Sequence, residues 1–275
     1  MSSDTIREFE DKGYVLVRDV LDAQTVQDLR NLLLGEFKKQ GTNVLNDGII
    51  YYPQFHEVLS RPKLVGALAE LLGKPFVVPP HSSAMHESFG VFHTDTTAPE
   101  IEGYSFHKQK EYRMVTVAIY LQDNNEYGGG IWLVPGTHRK PDKYVALTLE
   151  KKAYRAKVAQ SPVRKLLKRL SRDRLFNWNK SLEEEPGQVN VPTKAGDAVI
   201  WDTRLAHRAS PAKASGSQFE GGKIGVFYTV GANNPITTKA YMDFVNSLPS
   251  NAHLQKTRAT PGIAVPSPTE DFIVM

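Results

Sequence analysis

Cysteine is absent from the 275 residues of the chain. Its absence excludes disulfide scaffolds, thiolate zinc sites, iron–sulfur clusters and cysteine nucleophiles. No run approaches the roughly 20 consecutive apolar residues that a membrane-spanning helix needs, and the first residues lack the apolar core and cleavage pattern of a secretory signal. The sequence therefore predicts a soluble, cytoplasmic protein without a transmembrane segment, in which any metal ion is held by His, Asp or Glu.

A strong overall charge is also missing, because 34 basic and 30 acidic residues leave a net charge of +4. Positive charge is nevertheless concentrated in residues 139–174, which hold thirteen basic and three acidic residues. A predicted amphipathic helix begins there at Ser161. Its basic face favours an anionic substrate or an anionic surface, and the alternative is a solvated helix packed through its leucines. No nucleic-acid-binding motif accompanies this segment, so a nucleic-acid partner is not expected.

The chain is interpreted as one domain, 1–275, in three successive parts. Residues 1–75 form a helical N-terminal layer, 76–235 form the β-rich core with a basic helical insertion at 139–185, and 236–275 form a C-terminal helix and a Pro-rich tail. The core contains many short β-rich runs separated by turn residues, which is typical of a β-sandwich or jelly roll. A βαβ pattern and a glycine-rich phosphate loop are both missing, which disfavours nucleotide-binding α/β folds.

Apolar spacing and turn residues predict the individual elements. The predicted helices are Thr5–Lys12, one between an N-cap at Asp22 and Gly41, and one between Pro62 and Gly73. The predicted strands are Tyr14–Val17, Phe76–Val78, Ser82–Phe92, Arg113–Leu121, Ile131–Val134, Gln188–Val191, Ala198–Trp201 and Ile224–Val230.

Two histidines and one aspartate form the strongest chemical pattern. His93 and Asp95 are two residues apart, so on a strand both side chains project to one face. His207 follows a predicted apolar strand, 112 residues after Asp95. Taken alone, the first pair is a common surface arrangement and the second histidine a common structural one. Together they match the two-His, one-carboxylate facial triad, which leaves three positions of an octahedral Fe(II) open.

The chain resembles the phytanoyl-CoA dioxygenase family of Fe(II)- and 2-oxoglutarate-dependent oxygenases from about Gly13 to Tyr228. The segments that carry the resemblance are Gly13–Val17, Phe92–Asp95, Gly128–Arg139 and Gly196–Asp202 leading to His207. It implies a double-stranded β-helix, a cupin-like jelly roll that is mainly β with flanking helices. It also implies that His93, Asp95 and His207 are the catalytic iron ligands, with Fe(II) as cofactor and 2-oxoglutarate and O₂ as cosubstrates.

The chain departs from the family where the distal carboxylate of 2-oxoglutarate is expected to bind. Family members usually have an arginine about eleven residues after the distal histidine, but residue 218 here is Gln. The start of the next predicted strand puts Lys223 in that place, with Arg208 and Lys213 as competitors. A lysine holds a carboxylate as a point charge without the fork geometry of arginine. A solvated lysine at a strand end is the alternative, and the departure also leaves open a different 2-oxo acid or a lost cosubstrate site.

Further site residues follow from the resemblance. It implies that Trp201 lines the cosubstrate pocket, with ordinary core packing as the alternative, and that Arg113 faces the active site, with pairing to a nearby acidic loop as the alternative. His138, in a Pro-Gly-Thr-His segment, is interpreted as part of a turn and not as a fourth ligand. Loop residues that could line the mouth of the site are Tyr51, Tyr52, Gln54, Tyr104, His107 and Arg139.

Functions from different classes remain open at this point. The leading hypothesis is a dioxygenase that hydroxylates or otherwise oxidises a C–H bond of a small molecule. Asp95 fills the position that halide takes in related halogenases, which favours hydroxylation over chlorination. The second is a non-catalytic jelly roll that binds a ligand or partner and keeps the triad. The third is a membrane- or anion-associated scaffold that acts through residues 151–174. A zinc hydrolase is disfavoured because no general base accompanies the triad, and the oligomeric state is left open.

Overall fold

A computed structural model describes residues 3–47, 51–87, 90–160, 184–210, 222–249 and 269–275. The helices are α1 (Ser3–Lys12), α2 (Ala23–Gln40), α3 (Pro53–Leu59), α4 (Pro62–Leu72), α5 (Thr97–Ile101), α6 (Asn124–Tyr127), α7 (Lys143–Ala159) and α8 (Met242–Ser247), with 3-10 turns at Phe106–Lys108 and Thr137–Arg139 and a π-helix at Ile236–Tyr241. The strands are β1 (Tyr14–Val17), β2 (Val44–Asn46), β3 (Phe76–Val78), β4 (Ser82–His86), β5 (Met114–Tyr120), β6 (Ile131–Leu133), β7 (Val189–Asn190), β8 (Ala198–Asp202), β9 (His207–Ala209), β10 (Ile224–Gly231) and β11 (Phe272–Val274).

The strands form two sheets, and the arrangement is a jelly roll. The larger sheet has eight strands, in the order β1-β8-β5-β10-β3-β11, with β4 pairing with both β10 and β2. The smaller sheet has the order β7-β6-β9. The pairings are antiparallel except for β11 with β3, which is parallel. The mainly β fold with flanking helices that the sequence predicts is confirmed.

The two faces of the larger sheet bury different sets of side chains. On β5, Val115, Val117 and Ile119 pack in a cluster with residues of α2, α3 and α4, whereas Ala118 and Tyr120 pack with β6 and β8 between the two sheets. Successive side chains of a strand point to opposite faces. The helices therefore cover one face, while the other face, with Thr116, Ala118 and Tyr120 of β5, lines the interior of the jelly roll.

The helical layer follows local signals that were legible in the sequence. The Asp22 carboxylate accepts the Thr25 backbone N–H at 2.8 Å, which satisfies one of the free N–H groups of the first turn of α2. Gly41 ends this helix in the left-handed conformation (φ 62°), which costs a glycine little. Pro62 starts α4, and the Gly73 N–H bonds to Ala69 O at its end. These predicted boundaries are confirmed.

Several short elements differ from the predictions. β4 ends at His86 and not at Phe92, so His93 does not continue that strand and instead makes an isolated bridge with His207. β2, α3 and β9 were not predicted, and β11 lies within residues 236–275, for which a helix and a Pro-rich tail were predicted. The strands β2, β9 and β11 have only three residues each, which is too short for a local pattern, so their pairing partners decide that they form.

The basic insertion is partly described. Helix α7 occupies Lys143–Ala159, whereas the helix predicted from Ser161 lies outside the described residues. Within the described part of the chain, no helix combines the length and the apolar character needed to cross a membrane.

We expect the packing of α2 on the sheet to make a large contribution to stability. Leu33→Ala removes a side chain with no solvent exposure and should lower the free energy of unfolding by about 3 kcal/mol through lost burial and a cavity. Lys38→Ala, at an exposed position of the same helix, should change it by less than about 0.5 kcal/mol. Urea unfolding of both variants measures the difference, and equal effects would contradict the packing described.

Candidate metal centre

His93, Asp95 and His207 converge at one end of the interior. Each offers one ligand atom, and the three atoms lie within 4.8 Å of one another. The imidazole ring centroids of the two histidines are 4.4 Å apart, and His207 Nε2 lies 3.5 Å from Asp95 Oδ1. His207 is buried, whereas His93 is exposed. The group is therefore anchored on one side and accessible on the other.

Backbone hydrogen bonds hold this group together. The His93 N–H bonds to His207 O at 3.0 Å, and the His207 N–H bonds to His93 O at 2.9 Å. The Asp95 N–H bonds to Thr203 O at 2.9 Å, at the turn after β8. His207 thus follows β8, as the sequence predicted, but it belongs to a separate strand: it is the first residue of β9 in the smaller sheet. Asp95 lies in a turn leading to α5. His93 and Asp95 therefore face the same site because one is in a bridge and the other in a turn, and not because they share a strand.

Backbone carbonyl groups orient both imidazoles so that Nε2 is the ring nitrogen left for a metal. His93 Nδ1 lies 2.8 Å from Val91 O and His207 Nδ1 lies 2.9 Å from Leu205 O. A carbonyl oxygen only accepts, so each Nδ1 carries the proton and each Nε2 keeps a lone pair. Burial lowers the pKa of His207 to about 4, against an opposing effect of Asp95, so this ring is neutral near pH 7. Two imidazole nitrogens and one carboxylate are a ligand set that fits a divalent iron ion.

Asp95 sits at the edge of a polar group on the interior face. Its Oδ2 accepts the Thr116 hydroxyl at 2.7 Å, which leaves Oδ1 on the side of His207. Thr116 pairs across strands with Thr229 of β10, and the Tyr241 hydroxyl bonds to Thr229 and lies 3.0 Å from His81 Nδ1. Burial raises the pKa of Tyr241, so its hydroxyl keeps its proton. The metal-facing end of the interior is therefore lined by neutral hydroxyl groups.

Trp201 lies against the buried histidine. The two ring centroids are 5.1 Å apart, and Trp201 is 2% exposed. Its indole Nε1 is buried and has no hydrogen-bond partner among the residues that the structure describes. Since a buried N–H without a partner costs roughly 1–3 kcal/mol, this atom is suited to donate to a ligand in the interior.

Lys223 lies immediately before β10, at a position whose side chain points to the same face as the interior-facing residues of that strand. Gly225 and Phe227 share its side of the strand, and Phe227 packs in the interior against Tyr120. The aliphatic stem of Lys223 lies over Gly129, where an added Cβ atom would come within 2.9 Å of Lys223 Cγ and Cδ. Lys223 is 5% exposed, and burial lowers its pKa to about 8, against an opposing effect of Glu87.

The backbone around Lys223 is held by buried polar side chains. Its N–H donates to Glu87 Oε1 at 2.6 Å, and the next N–H, of Ile224, donates to Gln122 Oε1 at 2.9 Å. Arg30 reaches in from α2 and donates to Leu121 O and to Gly222 O, both at 3.0 Å. The position of Lys223 is therefore fixed although the preceding residues, 211–221, are outside the described chain.

Two other predicted cosubstrate residues are not brought into the interior, which corrects those predictions. Arg113 is exposed and lines a cavity of about 490 Å³ beneath α1, on the helical side of the sheet. Arg208 alternates with His207 and Ala209 along β9, so its side chain faces the other way, and its guanidinium carbon lies 5.8 Å from the Phe92 ring centroid. Strand alternation explains both results. Lys213 lies outside the described residues.

The remaining candidates mostly support the scaffold. His138 Nε2 lies 3.1 Å from Glu10 O, near the end of α1, in agreement with its interpretation as part of a turn. Arg139 binds the same carbonyl and Asp11, and His107 pairs with Glu100 at 2.9 Å. Tyr52 donates to Glu36, Gln54 lines a groove beside α2, Tyr104 packs on Phe244, and Tyr51 is exposed.

Sequence reasoning missed the residues that support the triad. Thr116 is the one polar residue of β5, MVTVAIY, and that interruption of an apolar strand was a usable signal. Thr94, between His93 and Asp95, donates its hydroxyl to Asp142, and Tyr241 approaches from the π-helix. No local pattern indicates the last two contacts, because each partner is distant in the chain.

Comparison with known proteins identifies the family. The sequence profile of the phytanoyl-CoA dioxygenase (PhyH) family matches residues 9–218, which is most of the chain. A curated relative, the ectoine dioxygenase of Bordetella bronchiseptica, is 21% identical over 245 residues, which cover 75% of this chain and 69% of the relative.

Solved structures agree on the fold. EctD from S. alaskensis with bound Fe has a TM-score of 0.57 and 16% identity, over 84% of this chain and 77% of that one. HygX from Streptomyces hygroscopicus with nickel and 2-oxoglutarate bound has a TM-score of 0.55 and 13% identity, over 85% and 87%. The predicted family, jelly-roll fold and enzyme class are therefore confirmed. The chain belongs to the phytanoyl-CoA dioxygenase family of non-haem iron dioxygenases that use 2-oxoglutarate.

Proposed function

We propose that this chain hydroxylates, or otherwise oxidises, a C–H bond of a small anionic molecule, with iron bound by His93, Asp95 and His207. The convergence of these three ligand atoms within 4.8 Å is the observation that carries the proposal. An iron ion bound there would supply the chemistry of O₂ activation coupled to decarboxylation of 2-oxoglutarate. The remaining steps belong to the residues of the chain.

The triad and its neighbours prepare the site before any ligand arrives. The carbonyl groups of Val91 and Leu205 orient the two imidazoles, and the Thr116 hydroxyl occupies one oxygen of Asp95. Asp95 is thereby directed to bind through its other oxygen. Positions fixed in advance by such contacts need no rearrangement on binding. Buried apolar residues of β5, β6 and β8 exclude water from the interior beside them.

Lys223 is proposed to bind the distal carboxylate of 2-oxoglutarate. It lies on the interior side of β10, it is buried, and it carries the positive charge that a buried anion needs. The indole N–H of Trp201, beside His207, is proposed as a second donor to the same cosubstrate. Lysine supplies charge without a bidentate fork, so the indole donor adds the direction that arginine would otherwise provide.

The substrate class rests on charge and on the curated relative. Helix α7 exposes Lys143, Lys152, Arg155 and Lys157, part of the segment with a local charge of +10. Such a surface attracts anions. The name of the relative, ectoine dioxygenase, also supports a small-molecule substrate.

We expect the purified protein to form the weak visible charge-transfer band of an Fe(II)–2-oxoglutarate chelate under anaerobic conditions. His93→Ala should abolish the band, because it removes one of three ligands. Asp28→Asn, an exposed carboxylate on α2, is the matched control and should leave the band unchanged. Absence of the band in the wild-type protein, or its persistence in His93→Ala, would refute the metal site. A band without 2-oxoglutarate-dependent O₂ uptake would instead favour the non-catalytic ligand-binding alternative.

Binding of 2-oxoglutarate should weaken as the pH rises through about 8. The ammonium form of Lys223 predominates below its pKa of about 8 and the neutral amine above it. If only the charged form holds the carboxylate, Kd should rise about tenfold between pH 7 and pH 9. Calorimetric titration of the Co(II)-loaded protein measures this change.

Lys223 variants distinguish this cation from a general pH effect. Lys223→Arg should remove most of the pH dependence, because arginine stays charged, and Lys223→Met should weaken binding about 10- to 100-fold through loss of a charge-assisted bond. Lys194→Met, at an exposed position, is the control. An unchanged Kd in Lys223→Met assigns the carboxylate to another residue.

Trp201→Phe should separate the indole donor from the ring. Phenylalanine keeps an aromatic ring beside His207 but has no N–H, so 2-oxoglutarate should bind about 3- to 10-fold more weakly, as expected for loss of one hydrogen bond. Metal affinity should stay the same in a Co(II) titration. Equal 2-oxoglutarate affinity in both proteins would leave Trp201 with a packing role alone.

A further inference from the structure

Asp142 connects the metal-binding loop to the start of helix α7. Its Oδ2 accepts the hydroxyl groups of Thr94 at 2.6 Å and Thr97 at 2.7 Å. Its Oδ1 accepts the Tyr144 backbone N–H at 2.8 Å, which is the bond of a helix N-cap. One carboxylate therefore joins two segments that lie more than 40 residues apart in the chain.

The position of Thr94 makes this contact relevant to the metal ligands. Thr94 stands between His93 and Asp95, and it is 5% exposed. Its hydroxyl turns towards Asp142 and also lies 3.0 Å from the hydroxyls of Thr96 and Thr97. The backbone of the loop is bonded to His207 and Thr203 on one side. The Asp142 carboxylate holds the other side, through bonds that are roughly twice as strong as those between neutral groups.

Asp142 directly precedes helix α7, whose first turn is held by contacts with Glu185. The hydroxyl of Tyr144, a buried residue, donates to Glu185 Oε1 at 2.9 Å, and Lys143 pairs with the other oxygen of Glu185. Lys152 lies 3.5 Å from Glu102, just after α5, which follows the metal-binding loop. Asp142 and Glu185 thus both fix the first turn of α7, but only Asp142 of these two carboxylates contacts the loop.

We propose that Asp142 is a positioning residue for the metal centre: through the hydroxyls of Thr94 and Thr97 it holds the loop so that His93 and Asp95 face His207. The proposal rests on the metal site of the proposed function. It also means that the position of helix α7 affects the geometry of the ligands, because the same carboxylate is the N-cap of that helix.

Co(II) binding to the apo-protein tests the proposal without any turnover. Asp142→Asn and Thr94→Val keep the shape of the side chain but weaken or remove the contact, and each should lower Co(II) affinity about tenfold, the scale known for partners of ligating groups. Thr94→Ser keeps the hydroxyl and should bind Co(II) like the wild type. The double variant should bind little worse than Asp142→Asn alone, because the contact between Thr94 and Asp142 is already weakened or lost in that single variant.

Glu185→Gln is the matched control. It loosens the same turn of α7 without touching the loop, so it should lower the thermal unfolding temperature but leave Co(II) affinity and the visible d–d spectrum unchanged. Unaltered Co(II) affinity in Asp142→Asn and Thr94→Val, or an equal loss in Glu185→Gln, would overturn the positioning role. Failure of the wild-type protein itself to bind Co(II) would overturn the metal site, and the positioning role with it.

Discussion

Two reciprocal backbone hydrogen bonds between His93 and His207 bring the distant parts of this site together. His93 lies in the chain segment after β4 of the larger sheet, and His207 is the first residue of β9 in the smaller sheet. Because the paired residues are themselves the two histidines, the bonds that close the sheets also set the separation of the imidazoles. The fold therefore fixes the backbone spacing of the two histidines, and the contacts of their Nδ1 atoms with Val91 O and Leu205 O orient the rings.

Side chains of β5 alternate between two faces of the sheet, and the two faces have different roles: one packs against the helices and the other faces the candidate metal site. Val115, Val117 and Ile119 face the helices and are almost fully buried there. On the other face, Thr116 supports Asp95, while Ala118 and Tyr120 line the interior. A strand buried on both faces normally carries apolar residues throughout. The Thr116 hydroxyl is the exception on this strand, and it lies where β5 meets the candidate metal ligand Asp95.

Local rules account for the parts that could be predicted. The Asp22 cap, the left-handed Gly41 and the first-turn Pro62 act within a few residues, so those helix boundaries were legible. The triad was legible because its three residues occur in segments whose order along the chain matches that of a known family. It was harder to predict on which face of a sheet a basic residue lies. Arg113 and Arg208 each lie one step out of phase with the interior, and register is decided by pairing partners far away. The strand β11 and the Asp142 contact depend in the same way on remote partners.

The absence of a side chain at Gly129 leaves the space that the buried Lys223 side chain occupies. The Gly129 backbone φ of 78° and the close approach of the Lys223 stem leave no room for a side chain. Any larger residue would have to displace the Lys223 side chain, so the place of this ammonium group depends on the absence of a side chain at position 129. Altering position 129 is therefore a way to move the Lys223 charge without changing Lys223 itself or any of the three candidate metal ligands.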